Sequence, residues 1–444
     1  MKDKLPLFVV LSAFLLLGAC AKFDNMFSSS DDKPPLKGER ISILQLQSQL
    51  VPKPELQQTP VVLPEAWTDT FWPQVGGYPN HVMGHLTLGK DLKKAWSSSI
   101  GEGGDRRDPL TAQPIVADGM VFTLDTNGEM TAFNITDGSK KWHSSSIAKG
   151  EQDTGGIGGG IAYASGKLYV TNGYRQLACF DASNGKMVWR AALTSPTQSA
   201  PTVMDEKVFL VTLDNRLMVF STTDGTSLWN YTGVTETTDL LGSASPAVDA
   251  SIVVLPQSSG DIFGLHVENG QMVWQDNLST MSHTGILSSI ADIRSQPVID
   301  QGQVYAISYS GRMVALNEIS GQRVWQRDIS SAEMPWAAGD NVFVITTEQQ
   351  LVALTRQSGD IRWVAALPRF KDDDKDKPII WTGPVLAGGR LIAASSGGEL
   401  VEVNPQDGKI LKKTGLPDAV FIPPLVAANT LLILTQSGDL IAYR

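Results

Sequence analysis

Short apolar segments recur from about residue 90 to the end of this chain, and their pattern is that of β-strands. Each reads apolar-x-small-apolar and follows a turn rich in glycine, asparagine or aspartate. A proline-led strand and a second β-rich segment precede it, as at Pro297–Ile299 and Val304–Ile307. This order predicts four short antiparallel strands per repeat. The apolar-x-small-apolar segments are Met130–Phe133, Leu177–Phe180, Leu217–Phe220, Ile262–Leu265, Met313–Leu316, Leu351–Leu354, Leu400–Val403 and Leu440–Tyr443.

A second motif follows most of these segments: a glycine four residues before a tryptophan. The complete copies are Gly138/Trp142, Gly185/Trp189, Gly225/Trp229, Gly270/Trp274, Gly321/Trp325 and Gly359/Trp363. Successive tryptophans in these copies are 47, 40, 45, 51 and 38 residues apart. A four-stranded repeat of about 45 residues is typical of a β-propeller blade. Because the tryptophan recurs once per blade at a fixed offset, we interpret it as an inter-blade packing residue and not as a ligand platform.

The two ends of the repeat region predict how the ring closes. A seventh copy carries Lys412 in place of tryptophan, and the last copy stops at Arg444 after its third strand. Trp96 lies on a fourth strand whose three predecessors are missing. Joining both halves gives an all-β, eight-bladed propeller over residues 67–444, its last blade closed by the N-terminal strand. Lys412 predicts that the seventh blade has the loosest joint.

The first 66 residues lack this pattern. A positively charged start precedes the apolar stretch Leu5–Leu17, which is short for a membrane span, and small residues then lead to Cys20. This order predicts a lipoprotein signal peptide over residues 1–19 and lipidation of Cys20; the alternative is a short transmembrane anchor. In the sorting pattern that this resembles, Ala21 favours the periplasmic face of the outer membrane. Residues 20–66, polar and rich in proline, are predicted to be a flexible tether.

Composition and charge restrict the function classes. The formal net charge is −10 and becomes −11 once residues 1–19 are removed. An acidic body of this kind excludes sequence-independent nucleic-acid binding, which needs a concentrated basic surface. Only Cys179 remains in the body besides Cys20, so an internal disulfide is impossible and stability must come from a packed core.

Candidate metal and cofactor motifs fail on their spacing. His81 and His85 are four residues apart, but the glycines and proline around them argue against the helix that would align them on zinc. The glycine run at residues 155–160 has neither the spacing nor the lysine of a phosphate-binding loop. We therefore expect no metal site, no bound cofactor and no catalytic residues.

The spacing of Ala315, Gly321 and Trp325 resembles the repeats of quinoprotein (PQQ-type) propellers. The lipobox, the proline-rich tether, the eight blades and the length together resemble the BamB family of outer-membrane-protein assembly factors. This resemblance implies a non-enzymatic subunit, monomeric within the complex that inserts β-barrels into the outer membrane (the BAM complex). Its implied partner is a BamA-like barrel subunit, bound through the periplasmic POTRA domains. A PQQ-dependent dehydrogenase is disfavoured, because the adjacent cysteine pair of that enzyme family is absent.

The same resemblance implies that two inter-blade loops, 189–201 and 274–297, carry the partner contacts. Asp292 falls where the family has an acidic contact residue, whereas Arg294 and Pro196 stand in place of an acidic residue and an arginine. The second loop also mixes apolar with charged residues, which suits a transient interface; alternatively, its apolar side packs on its own blade. The candidate partner-binding residues are Pro196, Thr197, Asp239, Ile290, Asp292, Ile293 and Arg294.

A receptor for cell-envelope or small-molecule ligands in the central channel is the alternative function. Its signature would be polar and aromatic side chains on the innermost strands. Those strands instead begin with proline and small or aliphatic residues, as at Pro114-Ile115 and Pro384-Val385. They offer little recognition chemistry, so the scaffold interpretation is preferred.

Overall fold

The computed structural model describes residues 50–444 apart from 57, 106, 148–157, 234–243, 280–291 and 372–376. This part of the chain forms eight four-stranded antiparallel sheets and one short 3-10 helix, Pro54–Leu56. The prediction of an all-β, eight-bladed propeller is confirmed. The predicted signal peptide and Cys20 lie outside the described residues.

Each blade uses its strands in chain order from the channel outward, except the last. Blade 1 contains β2–β5, and the next blades follow in fours up to blade 7 (β26–β29); blade 8 contains β30–β32 and β1. The strands are β1 Lys94–Ser99, β2 Ile115–Ala117, β3 Met120–Leu124, β4 Glu129–Asn134, β5 Lys140–Ser145, β6 Gly160–Ala164, β7 Lys167–Thr171, β8 Gln176–Asp181, β9 Met187–Ala192, β10 Thr202–Met204, β11 Lys207–Thr212, β12 Arg216–Ser221, β13 Ser227–Thr232, β14 Ala247–Val248, β15 Ile252–Pro256, β16 Asp261–His266, β17 Met272–Asn277, β18 Val298–Asp300, β19 Gln303–Ile307, β20 Met313–Asn317, β21 Arg323–Arg327, β22 Trp336–Ala338, β23 Asn341–Ile345, β24 Gln350–Thr355, β25 Ile361–Ala366, β26 Trp381–Ala387, β27 Arg390–Ser395, β28 Glu399–Val403, β29 Ile410–Gly415, β30 Leu425–Ala427, β31 Thr430–Leu434 and β32 Asp439–Tyr443.

The predicted closure is also confirmed. β1 pairs antiparallel with β32, with Trp96 opposite Ala442 and Ser98 opposite Leu440. The eighth sheet therefore has the order β1-β32-β31-β30, in which the first strand of the propeller forms the outer edge of its last blade. This pairing leaves no half-built blade at the junction of the two ends.

The apolar-x-small-apolar pattern marks the third strand of each blade, which is buried on both sides. In blade 3, for example, the four central residues of β12 are buried, whereas the outer strand β13 alternates between exposed and half-buried positions. A continuous apolar stretch on a short strand is what burial on both faces requires. The core therefore lies in the stacked interfaces between blades.

One contact recurs at seven of those interfaces: a tryptophan of one blade lies over a glycine of the next. A Cβ atom on any of these glycines would come within 2.5–2.7 Å of the preceding blade's tryptophan, so no larger residue fits. Their φ angles, between +64° and +73°, also favour glycine. The pairs are Trp96/Gly138, Trp142/Gly185, Trp189/Gly225, Trp229/Gly270, Trp274/Gly321, Trp325/Gly359 and Trp363/Gly408.

A hydrogen bond accompanies six of the seven pairs. The indole N–H donates to the carbonyl three residues before the glycine, at distances of 2.7–3.0 Å. Trp229 is the exception, since its buried Nε1 has no hydrogen-bond partner among the residues that the structure describes. The interpretation of the recurring tryptophans as inter-blade packing residues is thus confirmed. The acceptors are the carbonyls of Ile135, Ala182, Thr222, Glu318, Arg356 and Pro405.

The interface between blades 7 and 8 lacks both residues of the pair. Lys412 occupies the tryptophan position, and Leu92, four residues before Trp96, occupies the glycine position. The carbonyl that an indole would contact belongs to Gly89, and Nη2 of Arg390 donates to it at 2.6 Å. Arg390 is held in turn by a buried ion pair with Glu402; their side chains are 7% and 5% exposed. A guanidinium thus replaces the missing indole N–H.

The turns of the propeller define two faces. On one side lie the turns that join the first strand to the second and the third strand to the fourth; we call this side the turn face. The loops that lead from one blade to the next lie on the opposite side, the loop face.

Residues 50–66, within the segment assigned to the tether by sequence, pack on the turn face of blades 6 and 7. There, Nζ of Lys53 lies 2.9 Å from Asp360, and buried Val61 exchanges two backbone–side-chain hydrogen bonds with Gln406.

Residues 69–88 then run around the inside of the channel, which the sequence did not predict. They hydrogen-bond to the innermost strand of all eight blades, or to the residue directly after it, and so close the channel near the turn face. The contacts, from blade 8 through blades 1 to 7, are Asp69 O–Ala428 N (2.6 Å), Trp72 N–Val116 O (2.8 Å), Pro73 O–Tyr163 N (2.7 Å), Gln74 Oε1–Val203 N (2.8 Å), Pro79 O–Val248 N (2.8 Å), Asn80 O–Ile299 N (3.0 Å), Gly84 O–Trp336 Nε1 (2.8 Å) and Leu86 N–Leu386 O (3.1 Å).

The Arg390 contact predicts where the ring is most sensitive to a single truncation. Arg390→Ala removes the cation that is hydrogen-bonded to the buried Glu402 carboxylate and leaves only the more distant Lys412, 3.9 Å away, which costs about 3 kcal/mol of unfolding free energy. Lys412→Ala removes a side chain that is 47% exposed and should cost about 1 kcal/mol or less. Urea denaturation of both variants measures the difference. Equal midpoints would show that the guanidinium does not stabilise this interface.

Candidate functional site: a cavity on the loop face

A cavity of about 850 Å³ occupies the channel and opens on the loop face. Its floor is formed by Trp72, Val75 and Gly76 of the segment that closes the channel. Its walls are the first residues of the innermost strands and the ends of the inter-blade loops. Each innermost strand pairs with the second strand of its blade and also hydrogen-bonds to the channel segment or is followed by a residue that does. The volume lies within the range of about 300–1,000 Å³ typical of ligand pockets.

One wall carries two opposite charges that are not paired. Arg294 ends the loop before blade 5 and Glu333 ends the loop before blade 6; both line the cavity. Oε2 of Glu333 accepts hydrogen bonds from Oγ1 of Thr382 (2.8 Å) and from the Gly383 amide (2.9 Å). Among the described residues, its other oxygen has no partner, and Arg294 forms no hydrogen bond or ion pair.

The environment of Glu333 disfavours its charged form. Burial raises the pKa of this carboxyl to about 7, although its two hydrogen bonds and the charge of Arg294 act in the opposite direction. The group is therefore balanced between its neutral and ionised forms near neutral pH. A ligand that donates a hydrogen bond or brings a cation stabilises the ionised form.

The residues predicted to bind a partner divide into buried and accessible ones. Thr197, Asp292 and Ile293 are only 0%, 5% and 2% exposed, so their side chains present little surface, and their role in partner binding stays a prediction. Pro196 and Arg294 are half-buried and reach the loop face and the cavity. Asp239 and Ile290 lie outside the described residues.

The burial has a physical reason in how each loop returns to the next blade. The last hydroxyl of the loop turns inward and donates to a carbonyl of the second strand. Thr197 and Ser199 both donate to the Val211 carbonyl, and Ser295 donates to that of Ile307. This contact draws the preceding residues inside, so Ile293 joins the core between blades 4 and 5. The apolar side of this loop packs on its own blades where it is described.

The two histidines four residues apart serve the channel segment rather than a metal. Nδ1 of His81 lies 2.6 Å from the Pro297 carbonyl, and Nδ1 of His85 lies 2.8 Å from that of Pro64. Burial lowers the pKa of His81 to about 4, so its ring is neutral. Within the described ranges, no three metal-ligating side chains come together. Burial also raises the pKa of the Cys179 thiol to about 11, which makes it unreactive.

Sequence reasoning missed the residues that build the cavity. Its floor comes from a segment without periodicity, and two of its wall residues, Trp336 and Trp381, are tryptophans outside the blade motif. Both are nearly inaccessible, at 3% and 1% exposure, and support the wall from behind.

No helix in the described residues is long and apolar enough to cross a bilayer.

Comparison with known proteins gives one family. Residues 90–153, 148–365 and 374–444 match the family model described as outer membrane protein assembly factor BamB. The chain is 26% identical over 356 residues to the protein of that name from Yersinia pestis, covering 79% of this chain and 88% of the relative. It is likewise 26% identical over 349 residues to the one from Escherichia coli K12, covering 78% and 86%. The segment 69–88 precedes the first matched residue.

Solved structures show the same fold in proteins of different function. BamB from Moraxella catarrhalis superposes with a TM-score of 0.65 at 19% identity, covering 80% of this chain and all of that one. Quinohemoprotein alcohol dehydrogenase from Comamonas testosteroni gives a TM-score of 0.64 at 14% identity, covering 87% and 82%. The fold alone therefore does not separate an assembly factor from an enzyme.

The raised pKa of Glu333 predicts a pH-dependent stability. Since the folded-state pKa of about 7 exceeds the ordinary 4.5, the stability linked to this group is present below pH 4.5 and lost as pH rises through 7. Glu333→Gln has no such loss, so its Tm should exceed that of the wild type at pH 8 by about 2 °C or more and converge with it near pH 4.5.

The control is Glu348→Gln, on an exposed glutamate. It should follow the wild type at every pH. Calorimetry of the three proteins between pH 4.5 and 8 measures the effect. A constant offset between Glu333→Gln and wild type would show that Glu333 keeps an ordinary pKa.

Proposed function

The chain belongs to the BamB family of outer membrane protein assembly factors, and from this premise we propose that it is a non-enzymatic scaffold of the outer-membrane β-barrel assembly complex. The observation that carries the proposal is the family match, which extends over residues 90–444 and so includes strands of every blade. Relatives of similar length bear the name of assembly factors and not of enzymes. The adjacent cysteine pair of quinoprotein dehydrogenases is absent from the sequence.

The partner in this proposal is the BamA-like barrel subunit with its POTRA domains, bound on the loop face. Two features support this choice of face. Residues 50–66 already cover part of the turn face, at blades 6 and 7. The loop face, by contrast, carries the long inter-blade connections, whose accessible described residues include Pro196 and Arg294. Asp292, which aligns with an acidic contact residue of the family, is 5% exposed and so offers less surface than these two residues.

The site of attachment to the membrane is proposed from the sequence alone. Acylation of Cys20 would anchor the chain to the periplasmic face of the outer membrane, since two or more acyl chains bind stably. The body needs no other anchor to perform a scaffold role.

Capture of the barrel subunit tests the scaffold proposal. Protein purified from its native envelope in mild detergent should retain a barrel subunit with periplasmic domains. Pro196→Glu, which places a charge on the loop face, should reduce the retained amount about tenfold. Lys140→Glu, on the exposed outer strand of blade 1, is the control and should retain it fully. If the wild type retains no barrel subunit, the scaffold proposal is wrong. If Pro196→Glu retains as much of the barrel subunit as the wild type does, the interface lies elsewhere.

Membrane fractionation tests the anchor. Cys20→Ser removes the acylated thiol and should shift the protein from the outer-membrane fraction to the soluble periplasmic fraction. Cys179→Ala changes the other cysteine, a buried one, and should leave the protein in the membrane fraction. Retention of Cys20→Ser in the outer membrane would mean that a different part of the chain or a partner holds it there.

A further inference from the structure

Three neighbouring polar side chains on one wall of the cavity have unused hydrogen-bonding groups. They are Arg294, Gln296 and Glu333, from the loops that enter blades 5 and 6. Arg294 offers only donors, the free oxygen of Glu333 is an acceptor, and the Gln296 amide is both. None of these groups has a partner among the described residues. All three side chains are half-buried and line the cavity. The wall can therefore bind a ligand that offers both hydrogen-bond donors and hydrogen-bond acceptors.

The lip of the cavity beside this wall, at blades 7 and 8, is apolar and exposed. Ile380 and Phe421, in the loops that enter blades 7 and 8, are 50% and 45% exposed, and both line the cavity. Many of the other exposed large apolar residues of the described chain lie on the outermost strands, away from the channel. An apolar lip beside a polar wall is typical of a site for a ligand with both kinds of surface.

The floor restricts how a ligand enters. The segment with Val75 and Gly76 closes the channel, so a chain cannot thread through the propeller. A ligand must enter and leave on the loop face, the face on which the partner is proposed to bind. A protruding segment of a protein on that face meets this condition.

We propose that the cavity binds an extended segment of a partner polypeptide. Its backbone N–H and C=O groups pair with Glu333, Gln296 and Arg294, and one of its apolar side chains packs on Phe421 and Ile380. A peptide backbone offers both N–H donors for the Glu333 carboxylate and C=O acceptors for Arg294, and the Gln296 amide can pair with either. The proposal rests on the proposed function, because the occupant is a protein.

Other ligand classes fit less well. Sugars are commonly held between several open aromatic faces. Of the aromatic residues in the described lining, Phe421 is exposed and Tyr309 half-buried, whereas Trp72, Trp336 and Trp381 are only 1–3% exposed. A polyanionic cofactor needs several cations, whereas Arg294 is the single lysine or arginine among the described residues of the lining. A peptide backbone needs neither.

Fluorescence anisotropy with a defined peptide tests the proposal on the purified, detergent-solubilised full chain. The probe is a short peptide of alternating serine and phenylalanine, with fluorescein at its N-terminus and an amidated C-terminus. It should bind saturably, and Arg294→Ala, Glu333→Gln and Phe421→Ser should each weaken binding about tenfold. Glu206→Gln and Ile319→Ser are matched controls on exposed residues of the turn face and should bind as wild type. Melting curves confirm that every variant is folded.

A second probe, the same peptide with N-methylated backbone amides, isolates the role of the backbone. Loss of binding supports pairing of its N–H groups with the wall. Equal binding of both peptides, or no effect of the three cavity variants, overturns the proposal. Binding of a chitin oligosaccharide in place of the peptide also overturns it.

The two proposals fail separately. If the barrel subunit is retained on purification but the peptide does not bind, the cavity proposal is wrong and the scaffold stands. If the peptide binds but no barrel subunit is retained, the cavity accepts polypeptide and the assigned partner is wrong.

Discussion

The structure depends on one contact, made at seven of the eight interfaces, in which a tryptophan ring of one blade lies over a glycine of the next. The contact tolerates no side chain on the glycine, since a Cβ atom would lie 2.5–2.7 Å from the ring. Each such pair fixes the spacing between two blades. A ring of eight closes only when all of its interfaces have compatible geometry, so one residue type repeated at one position sets the shape of the whole molecule.

The interface without this contact shows which part of it is essential. Between blades 7 and 8 the ring stacking is gone, yet a donor still reaches the equivalent backbone carbonyl, now from Arg390 to Gly89. At the Trp229 interface the reverse holds: the stacking on Gly270 remains and the indole N–H has no partner among the described residues. Either half of the interaction can therefore hold an interface. The loose joint expected from Lys412 instead contains a buried ion pair, whose geometry depends on Glu402.

The sequence was sufficient for the blades because their determinants are local and periodic. Glycine, tryptophan and the third-strand pattern recur within each repeat, and the unmatched Trp96 revealed the closure. The channel segment 69–88 was not predictable in this way, because its partners are backbone groups on eight blades that come together only in the ring. The burial of Ile293 escaped prediction for a related reason. It follows from the inward hydrogen bond of Ser295, a contact between a loop and a distant strand.

The channel segment changes what the propeller can do. An open propeller channel has two entrances. Here the channel segment, which is hydrogen-bonded to every blade, blocks one of them and forms the floor of a cavity. Its polar groups lie at the ends of inter-blade loops, a few residues before the innermost strands that anchor those loops. Since the fold is shared with dehydrogenases, the chemistry of the cavity must carry the difference in function. A single cation, a carboxyl with a pKa near 7 and an apolar lip suit reversible contact with a polypeptide better than the tight retention of a charged cofactor.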